Sequence, residues 1–100
     1  MGREAFMRIL GLPLLEAFKK KHADIRGALD AWRKEVEGEV WQTTQDIKKR
    51  YPSTDFLAEN RVIFNIKGNS YRLVVKVRYQ GGIVLVEWVG THAEYDKKKF

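Results

Sequence analysis

Two periodicities divide the chain. Through residue 50 the apolar positions recur every three or four residues, the spacing of one buried helical face. Leu14, Leu15 and Phe18 make a first stripe that runs into Lys19-Lys20-Lys21, and Pro13 suits the opening turn of that helix. Ile25, Ala28, Leu29, Trp32 and Val36 make a second stripe, with Asp24 expected as its cap and Gly38 as its stop. Thr43 or Thr44 is expected to cap a short third helix through Ile47 to Arg50, ended by Tyr51-Pro52-Ser53. Beyond residue 61 the period becomes two. Val62, Phe64 and Ile66 alternate with Ile63, Asn65 and Lys67. Tyr71, Leu73, Val75, Val77 and Tyr79 alternate with Arg72, Val74, Lys76, Arg78 and Gln80. Gly68-Asn69-Ser70 and Gly81-Gly82 are the turns, the second a tight hairpin signal, and Ile83 to Val89 is a third strand. Met7 to Leu10 reads as a short first strand, and residues 1–6 read as an extension ahead of a single domain spanning 7–100. Helices first and strands afterwards predict an α+β fold: a small antiparallel sheet with two to three helices on one face.

Thr91-His92-Ala93-Glu94 adds a local signal. A threonine followed three residues later by glutamate is a capping box, so a helical turn carrying His92, Tyr95 and Asp96 is expected just past the last strand. His92 and Tyr95, three apart, then face the same way. Trp32 fits a helical stripe, and Trp88, in phase with Val84 and Val86, reads as core.

Charge changes the picture by its distribution. The net is +6 in 100 residues; residues 1–60 hold 11 Lys/Arg against 10 Asp/Glu, and residues 61–100 hold 8 against 3. The cationic excess lies on the strand-rich part, which favours a polyanionic partner. Arg72, Lys76 and Arg78 share one face of the middle strand, a row that buries badly but can receive phosphates. The same row can equally be a solvated face whose long side chains cover apolar surface. Asn65 and Lys67 share a face of the neighbouring strand, where the hairpin can bring Lys67 to Arg72.

Cysteine is absent, which removes disulfides, thiolate metal sites and cysteine nucleophiles. His22 and His92 lack metal-ligand spacing, no phosphate-binding glycine loop occurs, and neither Ser53 nor Ser70 sits in a nucleophile elbow. No apolar run approaches a membrane span and no leader pattern is visible, so a cytoplasmic protein without metal or cofactor is expected.

The segment Val62–Val75, with Phe64-Asn65-Ile66-Lys67-Gly68-Asn69 leading into Tyr71-Arg72-Leu73, together with Gly90-Thr91-His92-Ala93-Glu94-Tyr95-Asp96, resembles the HigB toxins of toxin–antitoxin systems and the wider RelE-like group. The likeness runs from about Met7 to Asp96. It implies a RelE-like sheet flanked by helices and an endoribonuclease that cuts messenger RNA, often on the ribosome. It also implies a HigA-like helix-turn-helix antitoxin, through which alone the pair meets operator DNA. By the same resemblance Arg72 matches the strand arginine placed on the scissile phosphate, Tyr95 matches the C-terminal tyrosine, and Lys67 lies near the strand lysines. Where RelE-type enzymes carry an arginine after the last strand, this chain has Thr91-His92. The chemistry expected is metal-independent attack by the RNA's own 2′-hydroxyl, with Arg72, His92, Tyr95 and Lys67 catalytic. Asn65, Lys76, Arg78, Lys97 and Lys98 are expected to hold flanking RNA. The rival readings are a module that grips RNA or the ribosome without cutting, and an interaction protein that docks an acidic partner.

Overall fold

A computed structural model describes residues 6–98 and 100. The expected extension over residues 1–6 thus lies, except for the exposed Phe6, outside the described residues. Strand β1 (Arg8–Leu10) leads into helices α1 (Leu12–Lys21) and α2 (Arg26–Glu37), with a 3₁₀ turn at Ala23–Ile25 between them, and then α3 (Thr44–Arg50). Strands β2 (Asp55–Leu57), β3 (Arg61–Ile66), β4 (Tyr71–Arg78) and β5 (Ile83–Thr91) follow, and α4 (His92–Asp96) ends the order. The sheet has five strands in the order β1-β5-β4-β3-β2. Four strands form an antiparallel run, and β1 joins the edge parallel to β5, so the sheet is mixed.

The α+β class and the meander agree with the hydrophobic pattern. Leu73, Val75 and Val77 point from β4 into one core with Leu15 of α1, Leu29, Trp32 and Val36 of α2, and Ile47 of α3. Aromatic rings fill its far end, where Phe64 meets Trp32, Trp41 and Tyr51 at centroid distances of 5.5, 6.1 and 5.1 Å. Gly11 lets α1 start against β5: a Cβ there would lie 2.7 Å from the Val86 carbonyl oxygen, and its φ is 86°.

Several local expectations are corrected. Asp24 does not cap α2; the chain enters that helix through the 3₁₀ turn, Ile25 takes the cap position, and no side chain caps it. Thr43, not Thr44, caps α3, in a box with Asp46. The Gly81-Gly82 hairpin is wider than a two-residue turn, because β4 ends at Arg78 and pairs there with Ile83. Lys67 is not on β3. It opens the turn with φ 55°, a left-handed conformation that breaks the alternation. The largest correction concerns Trp88. Val74 pairs with Trp88 but Val75 pairs with Val86, so Glu87 is an extra residue in β5. One inserted residue reverses the phase of everything beyond it. Trp88 therefore leaves the face of Val84 and Val86 for the opposite one, where Ile63, Val74 and Trp88 line up across three strands. Helix α4 turns back over this second face, and the Tyr95 and Phe100 rings pack on Trp88 at 5.9 and 6.1 Å. The face carrying Arg72 is thus half closed.

Candidate nucleic-acid interface

Helix α4 owes its position to its cap. The Thr91 hydroxyl accepts from the Glu94 amide at 3.1 Å, and the Glu94 carboxylate accepts from the Thr91 amide at 2.8 Å. The Thr91 amide bond, first among the causes, holds the Glu94 carboxyl below its ordinary range, so the cap stays ionised. Gly90, directly across from Arg72, makes room: a Cβ there would lie 2.5 Å from the Trp88 ring and 2.8 Å from the Glu94 carboxylate.

Arg72 sits at the centre. Its side chain is 18% exposed, one Nη donates to His92 Nε2 at 2.9 Å, and the guanidinium carbon lies 4.7 Å from the Tyr95 ring centre. A guanidinium cannot accept, so this bond assigns the lone pair of His92 to Nε2 and its proton to Nδ1. Nδ1 faces Asp96 Oδ2 at 3.5 Å, one helical turn on. The other Nη of Arg72 is 3.9 Å from Asp55 Oδ2. Asn65, the cross-strand partner of Arg72, donates its amide to the Ser53 carbonyl at 3.1 Å. Two atoms here are buried and unpartnered: Nε of Arg72 and Oδ1 of Asn65.

The remaining basic residues divide. Lys76 and Arg78 continue the Arg72 face along β4, beside Leu10, Ile83 and Leu85 in a groove of about 450 Å³. Lys97 and Lys98 are exposed just past α4, and their amides close its last turn on the Glu94 and Tyr95 carbonyls. Lys67 is drawn elsewhere. Its ammonium meets Asp24 Oδ2 at 3.0 Å, and the Tyr71 hydroxyl donates to the same carboxylate at 2.9 Å. Lys67 first, then Tyr71, holds the Asp24 carboxyl below its ordinary value. Asp55 escaped the sequence reading because the three-residue β2 has no visible period. Asp96 carried a usable signal, four residues after His92 on one helical face.

Among the described residues, no group of three or more His, Asp or Glu is placed to hold a metal ion, and no helix is long and apolar enough to cross a membrane. A search of curated proteins finds no match. A family model does match: HigB toxin, described as the RelE-like toxic component of a toxin–antitoxin system, over residues 25–98. That span contains β2 to β5, α4 and every side chain of the Arg72 cluster. The chain belongs to the HigB toxin family, the RelE-like toxic components of toxin–antitoxin systems.

Proposed function

We propose that this toxin is an endoribonuclease that cuts messenger RNA on the ribosome by transferring the phosphoryl group from the 5′-oxygen to the RNA's own 2′-oxygen. The observation that carries this reading is the convergence of Arg72, His92 and Tyr95 on one sheet face that continues into Lys76 and Arg78. The Arg72 fork binds the non-bridging phosphate oxygens and offsets the charge that grows on them. His92, accepting at Nε2, takes the proton of the 2′-hydroxyl as that oxygen bonds to phosphorus. The phosphorus–O5′ bond breaks, and the Tyr95 hydroxyl delivers a proton to the leaving oxygen. The products are a 2′,3′-cyclic phosphate and a free 5′-hydroxyl, and solvent carries the proton from His92 back to Tyr95. Lys76, four residues along β4, lies about 13 Å from Arg72, within the span of two to three nucleotides, and Arg78 lies beyond it. Asn65, Lys97 and Lys98 border the same path, while Lys67 contributes charge from the far side of its turn. A HigA-like helix-turn-helix antitoxin holds the toxin inactive in the cytoplasm.

Incubating the chain with translating ribosomes and mapping RNA 5′ ends by primer extension tests the proposal. Discrete new ends are expected from the wild type and none from Arg72→Ala. Arrested translation without new ends would instead favour a toxin that grips the ribosome or its RNA without cutting.

A further inference from the structure

Arg72 and Asn65 face each other across β3 and β4, and each buries one polar atom without a partner. The two atoms are complementary: Nε–H is a donor and Oδ1 an acceptor. Buried polar groups are ordinarily paired, so an orphan donor and an orphan acceptor on directly opposed residues mark an arrangement with a second state. The Cβ atoms of such a pair lie about 5 Å apart, so side-chain rotation brings Nε–H within reach of Oδ1. In the structure the guanidinium is turned away, giving one Nη to His92.

We propose that Asn65 is a positioning residue for Arg72, and that phosphate binding moves the guanidinium from His92 onto the Asn65 carbonyl. Three consequences follow together. Nε is satisfied by Oδ1, the Nη that His92 held is freed for a phosphate oxygen, and the His92 Nε2 lone pair is released at the moment a 2′-hydroxyl arrives. Free toxin thus keeps its base occupied, and the substrate uncovers it. The Asn65 amide bond to the Ser53 carbonyl fixes which way Oδ1 points. The catalytic part of this inference rests on the nuclease reading; the movement of Arg72 does not.

The test follows the Arg72 Nε–H proton by NMR in ¹⁵N-labelled protein, assigned by its loss in Arg72→Lys. The probe is a mixed-sequence 2′-O-methyl oligoribonucleotide, which presents phosphates but no nucleophile. In wild type the probe slows exchange of this proton with water by about fivefold or more. Asn65→Ala abolishes the slowing, and Asn65→Asp, which keeps an acceptor oxygen there, restores it. With cleavable RNA, Asn65→Ala lowers kcat by about 100-fold and leaves KM within about threefold. Slowed exchange in Asn65→Ala, unslowed exchange in wild type, or no binding of the probe overturns the proposal. A wild type that cuts no RNA removes the nuclease reading, and the exchange experiment still decides the role of Asn65.

Discussion

Gly90→Ala isolates the placement of α4 from the chemistry of any catalytic group. The backbone at Gly90 is not in the left-handed region, so alanine brings no torsional strain; its effect is steric. The added methyl would lie 2.5 and 2.6 Å from two atoms of the Trp88 indole and 2.8 Å from Glu94 Oε1, each closer than carbon tolerates. The indole is rigid and already in contact with Tyr95 and Phe100, and the glutamate is tied to the Thr91 amide, so neither yields freely. The methyl therefore lifts the cap, and with it His92 and Tyr95, away from Arg72. Overpacking of this kind costs about 2 kcal/mol, a fall in Tm of about 8–16 °C for a domain of this length. A displacement of about 1 Å at a catalytic group lowers the rate by about 100-fold. Thermal melts followed by circular dichroism, with cleavage rates taken well below the lowered Tm, separate the two effects. A folded Gly90→Ala protein that cuts RNA at the wild-type rate would refute the claim that the Thr91–Glu94 cap aims the catalytic groups.

Three further outcomes are expected. His92→Gln keeps a hydrogen-bonding side chain but transfers no proton, and primer-extension rates should fall by about 10²–10⁴-fold; an unchanged rate reduces His92 to a prop for Arg72. Log affinity for single-stranded RNA should fall linearly with log salt concentration, and Lys76→Ala and Arg78→Ala should each make the slope shallower by about 0.7; unchanged slopes place the RNA elsewhere. The Asp24 carboxyl titrates below its unfolded value, so its pairing with Lys67 and Tyr71 stabilises the fold fully above the ordinary aspartate range and is lost as pH falls through the depressed value. Melts between pH 6 and pH 3 should accordingly show a steeper loss of Tm in wild type than in Asp24→Asn, and parallel curves would rule that linkage out.

Much of what depended on neighbouring residues was legible in the sequence. The Thr91–Glu94 box is written in four consecutive residues, and α4 starts where it says. The alternation of β4 likewise separates Leu73, Val75 and Val77 from Arg72 and Lys76. The rest turned on events the local pattern does not encode. The bulge at Glu87 exists only in pairing with β4, and without it Trp88 counts onto the wrong face. Asp24 has the chemistry of a helix cap, but Lys67 and Tyr71, more than forty residues later, take its carboxylate. The same contact removes Lys67 from the cluster that strand alternation assigns it to. Asp55 approaches Arg72 because β2 docks at the sheet edge, a tertiary event behind a segment too short to show a period.

The parallel seam at the sheet edge sets the order in which this molecule is made. Arg8 lies opposite Ile83, 75 positions later, whereas β2, β3 and β4 each pair with the next strand through a short turn. Closing so long a loop costs entropy before any contact repays it, so the hairpins form first and the seam last. During synthesis β1 and the three helices that follow it emerge with their apolar stripes uncovered, waiting for the strands that will receive them. Refolding should accordingly run at the pace of the seam, and the slow step belongs to a strand of three residues that touches no catalytic group.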